Sequence, residues 1–117
     1  MGTLYYSGLA IDFEDRLLEH LHIVIVMKLR RGESFSMSWI DDRSIGDGRS
    51  SIWLHPASNI YFKFAGSRLP SINRTWIEHL LESANSSTGL VVTDEGGVLA
   101  RGKGIPSGHG SPAGALR

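Results

Sequence analysis

A chain of 117 residues with 12 Lys and Arg, 12 Asp and Glu and no Cys is long enough for one domain of ordinary size and too short for a multidomain enzyme. Its composition, 41% hydrophobic and 21% charged, is that of a globular protein, and a formal charge of zero gives no global attraction to nucleic acid or lipid, so a polyanion site must be a local patch. Without Cys there are no disulfides, thiolate zinc sites or cysteine nucleophiles, which fits a reducing, cytoplasmic location.

No basic segment followed by an apolar core opens the chain. The longest apolar run, residues 23–27, is far short of the roughly 20 residues of a spanning helix. No membrane partner is expected.

Residues 3–6 and 9–13 are rich in β-formers and are separated by Ser7-Gly8, a two-residue connection of the kind that closes a hairpin. Residues 14–31 contain neither Gly nor Pro, begin acidic and end with Lys28, Arg30 and Arg31 before Gly32, the charge order and stop signal of a helix. The β-branched run Ile23-Val24-Ile25-Val26 argues for a strand, but the uninterrupted length and the charges at both ends favour a helix covered on two sides. In residues 33–40, Phe35, Met37 and Trp39 alternate with Ser34, Ser36 and Ser38, the period of a half-buried strand. A turn-rich loop follows over residues 41–49. Residues 50–54 and 60–65 then read as two more strands bracketing His55-Pro56, which predicts a three-strand meander.

Asn73 is placed to cap a second helix whose apolar residues Trp76, Ile77, Leu80, Leu81 and Ala84 share one face. Residues 90–93 close the series as a strand. The expected order, ββαβββαβ, implies an α+β fold: an antiparallel sheet of five to six strands with two helices mainly on one face. Residues 1–94 would form the single domain. The last 23 residues hold 7 of the 14 Gly with apolar residues scattered singly, so residues 95–117 read as a flexible tail.

Within the meander, alternation places Phe35, Met37, Trp39, Ile52, Leu54, Ile60, Phe62 and Phe64 under the helices. Ser34, Ser36, Ser38, Ser51, Trp53, His55, Tyr61 and Lys63 fall on the other face. Aromatic rings with cations among small hydroxyls are what a platform for nucleic-acid bases uses; the competing reading packs Trp53 and Tyr61 under a loop, the first hairpin or a partner. Between Lys28 and Arg74 there are eight basic against four acidic residues. Arg43, Arg49, Arg68 and Arg74, if gathered beside that face, would grip phosphates. Singly, each is an ordinary solvated loop charge.

No metal or cofactor is expected. His20 and His22 fall on different sides of a helix, and His55, His79 and His109 lack ligand spacing. No catalytic residues are expected either, since no Gly-x-Ser-x-Gly elbow occurs. Gly46-Asp47-Gly48 precedes a strand and lacks the Lys-Ser/Thr ending of a phosphate loop. The residues therefore point to a small non-enzymatic binding module, with DNA or RNA as its partner. The alternative is a protein-interaction or homodimerising module that buries the same aromatic face or the apolar half of the first helix.

The strings Glu14-Asp15-Arg16-Leu17-Leu18, Lys28-Leu29-Arg30-Arg31-Gly32-Glu33-Ser34-Phe35, Gly48-Arg49-Ser50-Ser51-Ile52-Trp53-Leu54-His55-Pro56 and Asn73-Arg74-Thr75-Trp76 carry a resemblance over residues 1–92. The chain resembles a family of small uncharacterised actinobacterial proteins, a domain of unknown function whose members are often labelled "ATP-dependent DNA ligase". The resemblance implies a soluble cytoplasmic protein and supplies no established activity. Such ligases attack ATP with the Lys of a Lys-x-Asp-Gly motif. Here Asp47-Gly48 is preceded by Ile45 and Gly46, and Ile has no amine to form the lysyl adenylate. A DNA-associated accessory role is the expectation.

Overall fold

The computed structural model describes residues 1–106. Strands β1 (Gly2–Tyr6) and β2 (Leu9–Phe13) form the expected antiparallel hairpin, with Leu4 opposite Ile11. Ser7 and Gly8 both take positive φ, 49° and 79°, as a two-residue turn matched to the strand twist requires.

Helix α1 (Asp15–Arg30) follows. Its β-branched run is tolerated because tertiary burial outweighs propensity: Leu18, Leu21, Val24 and Ile25 are fully buried, each contributing roughly 1.5–3 kcal/mol against a propensity cost of a few tenths. The Asp15 carboxylate accepts N–H bonds from Ala65 and Gly66 at 3.0–3.1 Å. Those bonds hold its carboxyl below the ordinary range and tie the start of α1 to the loop at residues 64–73.

Strands β3 (Phe35–Asp41) and β4 (Arg49–Leu54) pair antiparallel, with Met37 opposite Ile52. Phe35, Met37 and Trp39 are buried while Ser36 and Ser38 face outward, as the alternation predicts. Strand β5 (Ile60–Lys63), however, pairs with β1, Tyr61 opposite Tyr5 and Phe62 opposite Leu4. The expected meander therefore stops at two strands. Period-two alternation says which face of a strand is buried and nothing about its neighbour, and residues 55–59 carry the chain from one edge of the sheet to the other.

Asn73 caps α2 (Arg74–Ala84), its side-chain oxygen accepting the Trp76 N–H at 3.2 Å, and Trp76, Leu80 and Ala84 are buried. Two short pairings finish the sheet. Strand β6 (Leu90–Val91) lies parallel to β3. Strand β7 (Arg101–Pro106) begins parallel to β3, Ile40 beside Arg101, then runs antiparallel to β2, Ile11 beside Gly104. The path is β4-β3-β7-β2-β1-β5 with β6 alongside β3. The fold is α+β with a mostly antiparallel, mixed sheet and one strand more than expected.

The reading of residues 95–117 as a flexible tail is thus corrected over residues 95–106, which form part of the domain. Gly102 there serves packing. A Cβ at position 102 would lie 2.5 Å from Phe13 Cε1 and 2.9 Å from Trp39 Cδ1, so only a residue without one lets β7 reach its place over those two rings. Residues 107–117, the rest of that expected tail, lie outside the described residues.

One core joins the inner sheet side (Leu4, Ile11, Phe13, Met37, Trp39) to both helices (Leu18, Val24, Trp76, Leu80). Tyr6 adds a link between the sheet edges: its hydroxyl donates to the Trp53 carbonyl at 2.7 Å and accepts the His55 N–H at 3.1 Å. Because β1 also carries β5, the end of β4 and the start of β5 are brought together. Among the described residues no helix is long and apolar enough to cross a membrane.

Candidate binding face

The ladder registers build the outer face of the sheet strand by strand. Side chains opposite one another share a face. Thus Tyr61 lies beside Tyr5, Tyr5 beside Ala10 and Ala10 beside Ile105. One step along, Lys63 lies beside Thr3, Thr3 beside Asp12 and Asp12 beside Lys103. On the other half, Trp53 lies beside Ser36, Ser51 beside Ser38, and Ile40 stands between Arg49 and Arg101.

Trp53 is 60% exposed and Tyr61 59%, far more than large aromatics usually are. Tyr61 stacks on Tyr5 with centroids 5.5 Å apart and planes at 23°, so the pair presents a braced aromatic surface. Lys63, Lys103, Arg49 and Arg101 stand on the same face. Of its acidic residues, Asp12 accepts the Thr3 hydroxyl at 2.6 Å. Arg101 is held by the Asp41 carbonyl at 2.7 Å.

Not every residue singled out in the sequence meets this face. Trp53, Tyr61, Lys63 and Arg49 do, though Trp53 and Arg49 sit at opposite ends of β4, about 13 Å apart at 3.3 Å per residue. The His55 ring accepts the Ala57 N–H at 3.0 Å, so it closes the turn after β4. Arg43 is exposed in the β3–β4 loop, where Ser44 donates its hydroxyl and its N–H to Asp42 and holds that carboxyl below its ordinary value. Arg68 borders a cleft of about 260 Å³ with Asp15, Arg16, Glu19 and Phe64. Arg74 belongs to the first turn of α2. The four arginines therefore do not gather: two lie with the helices and only Arg49 is on the aromatic face.

Tyr5, Lys103 and Arg101 are the face residues that strand-by-strand reading missed, because they arrive from strands distant in sequence. A second missed feature is the groove beside Trp53, about 270 Å³, bordered also by Lys28, Ser34, Ser36, Asn85 and Ser86. Lys28 is 6% exposed. Its ammonium donates to Asn85 Oδ1 at 2.6 Å and to Glu33 Oε1 at 2.5 Å, and lies 5.7 Å above the Phe35 ring. That contact holds the Glu33 carboxyl below its ordinary range.

A larger cleft, about 580 Å³, lies at the N-terminal ends of both helices beside Trp76 and Glu95. Its charges are already matched. The Arg16 guanidinium pairs with both oxygens of Glu95, Nη2 to Oε2 at 2.9 Å, and lies 5.4 Å over the Trp76 ring. Asn73 donates to the same carboxylate at 2.6 Å. Arg16 first and Asn73 second push the Glu95 carboxyl down to about 2. Buried His20 donates from Nδ1 to the Arg16 carbonyl at 2.7 Å and accepts the Asn73 N–H at Nε2 at 2.9 Å. Both ring nitrogens are used within the chain, and no group of three or more His, Cys, Asp or Glu among the described residues is arranged to hold a metal. This corner is a structural clamp joining α1, α2 and the β6–β7 connection.

The chain belongs to a family defined as a domain of unknown function, DUF7882, whose model matches residues 1–95. The match takes in both helices, Trp53, Tyr61 and the Lys28 groove, and ends before β7. Neither a curated protein nor a solved structure matches the chain.

Proposed function

We propose that this domain is a non-enzymatic binding module that takes single-stranded nucleic acid on the outer face of its sheet, as a DNA-associated accessory protein of the cytoplasm. The observation that carries this reading is the exposure of Trp53 and Tyr61 on a sheet face that also bears Lys63, Lys103, Arg49 and Arg101. Each base stacked on such a ring contributes about 1–3 kcal/mol regardless of sequence. The cations supply phosphate contacts. Duplex is disfavoured because its bases are already stacked on one another and cannot meet a flat aromatic surface.

The test is fluorescence anisotropy with a labelled single strand and its duplex, titrated with salt. The expected result is preference for the single strand with a log–log salt slope near −3, from four phosphate contacts at about −0.7 each. Trp53→Ala should weaken binding by about 5–150-fold. Absence of binding at low salt would overturn the proposal.

A second reading rests on the row Tyr61, Tyr5, Ala10 and Ile105, three of whose members are exposed. Such a row suits a protein partner or a second copy of the chain. Sedimentation separates the two: a dimer that Tyr61→Asp dissolves favours this second reading. The lysyl-adenylate chemistry of a DNA ligase is not proposed, since Ile45 stands where its nucleophile would be.

A further inference from the structure

We infer that the groove between Trp53 and the α2–β6 connection is a subsite for one carbonyl-bearing nucleobase, read by the Lys28 ammonium. This rests on the single-strand reading above and adds to it a base preference that stacking alone does not give.

Size comes first. At about 270 Å³ the groove lies just below the roughly 300–1,000 Å³ that drug-sized ligands occupy, so it admits one ring system and excludes a dinucleotide. Trp53, exposed along one wall, offers a flat apolar surface for that ring.

Charge decides which part of a nucleotide enters. A phosphate would seek an unpaired cation, but Glu33 lies 2.5 Å from Lys28 Nζ and neutralises it. The groove therefore has no net charge to hold an anion. What it retains is a donor. An ammonium carries three N–H groups; Asn85 and Glu33 take two. The Phe35 ring at 5.7 Å gives the third only the weak field of a ring face. A nearly buried N–H beside an open groove selects an uncharged acceptor, and a base carbonyl supplies one. Thymine, guanine and cytosine have such a carbonyl; adenine has none.

The experiment compares oligo-dT with oligo-dA of five nucleotides by tryptophan quenching. Trp39 and Trp76 are 2% and 4% exposed, so quenching reports Trp53. The wild-type protein should bind oligo-dT about tenfold more tightly, the worth of one charge-assisted hydrogen bond. In Lys28→Met the ratio should fall toward one. Differences in the strands' own stacking cancel between the two proteins.

Glu33→Gln, at a partly exposed position, supplies a test independent of whether Lys28→Met folds. It leaves the ammonium unneutralised, so one more phosphate contact should steepen the salt slope by about 0.7. Equal wild-type affinities for the two strands, or a ratio that survives Lys28→Met, would overturn the inference while leaving single-strand binding intact. An unchanged slope in Glu33→Gln would do the same. Failure of every oligonucleotide to bind would overturn both.

Discussion

Replacing Gly102 by Ala adds one methyl group at the centre of the domain. The new Cβ would stand 2.5 Å from Phe13 Cε1 and 2.9 Å from Trp39 Cδ1, well inside van der Waals contact. Neither ring can yield easily, since Phe13 is fully buried, Trp39 is 2% exposed and the two meet edge to face at 5.9 Å. Overpacking of this kind costs about 1–3 kcal/mol. The backbone at this position is not left-handed, so Ala also restricts the unfolded chain and returns about 0.4–1 kcal/mol. The expected net loss is about 1–2 kcal/mol, or roughly 5–10 °C in Tm for a domain of this size. Gly104→Ala is the internal control. Its Cβ would meet Trp39 and Ile11 at 3.5 and 3.7 Å, ordinary contacts, so only the entropic gain should remain. Thermal and urea melts of the two variants measure the difference. Equal stability in both would refute the docking of β7 over these rings and restore a flexible segment there.

Trp76→Ala should cost about 3–5 kcal/mol, because the ring is buried, stacks on His20 at 4.3 Å and donates Nε1–H to the Thr93 carbonyl; Trp53→Ala should barely move the urea midpoint. Tyr6→Phe should cost about 1–2 kcal/mol by leaving the Trp53 carbonyl and the His55 N–H without their partner, with amide exchange at residue 55 as the local readout. Glu95, whose folded pKa of about 2 lies below its ordinary value of about 4.3, contributes stability that is complete above that value and is lost as pH falls toward 2. Glu95→Gln should therefore lower the urea midpoint at pH 7 and flatten its decline between pH 4.5 and 2; parallel curves for both proteins would show that the Arg16 pair does not couple to folding.

The helices were legible because their signals are local: charge order and uninterrupted length for α1, an Asn cap and one apolar face for α2. The outward position of Trp53 and Tyr61 was legible for the same reason, since alternation is a property of a single strand. Neighbour relations were not. The pairing of β5 with β1 joins segments more than half the domain apart in sequence, and no residue in β5 encodes it. Strand β7 was hidden by its own glycines, which in sequence resemble a linker, although in the fold Gly102 is the space left for Phe13 and Trp39. Part of the candidate face went unseen with them, because Lys103 and Arg101 are the outward half of that strand. Lys28 reads as an ordinary helix-end cation until its burial beside Asn85 and Glu33 is known.

The central position of β7 has a consequence for biosynthesis. It is the last strand of the described chain to leave the ribosome, yet it joins the β3–β4 half of the sheet to the β2–β1–β5 half. At about 5–20 residues per second, the nascent chain passes through a stage in which β2 presents an unpaired edge, β3 is unpaired at Ile40 and Asp41 beyond the reach of β6, and the rings of Phe13 and Trp39 lack their cover. Such edges are templates for intermolecular pairing. A chain arrested after residue 94 should therefore need a chaperone to stay in solution, and release of the next dozen residues should end that dependence.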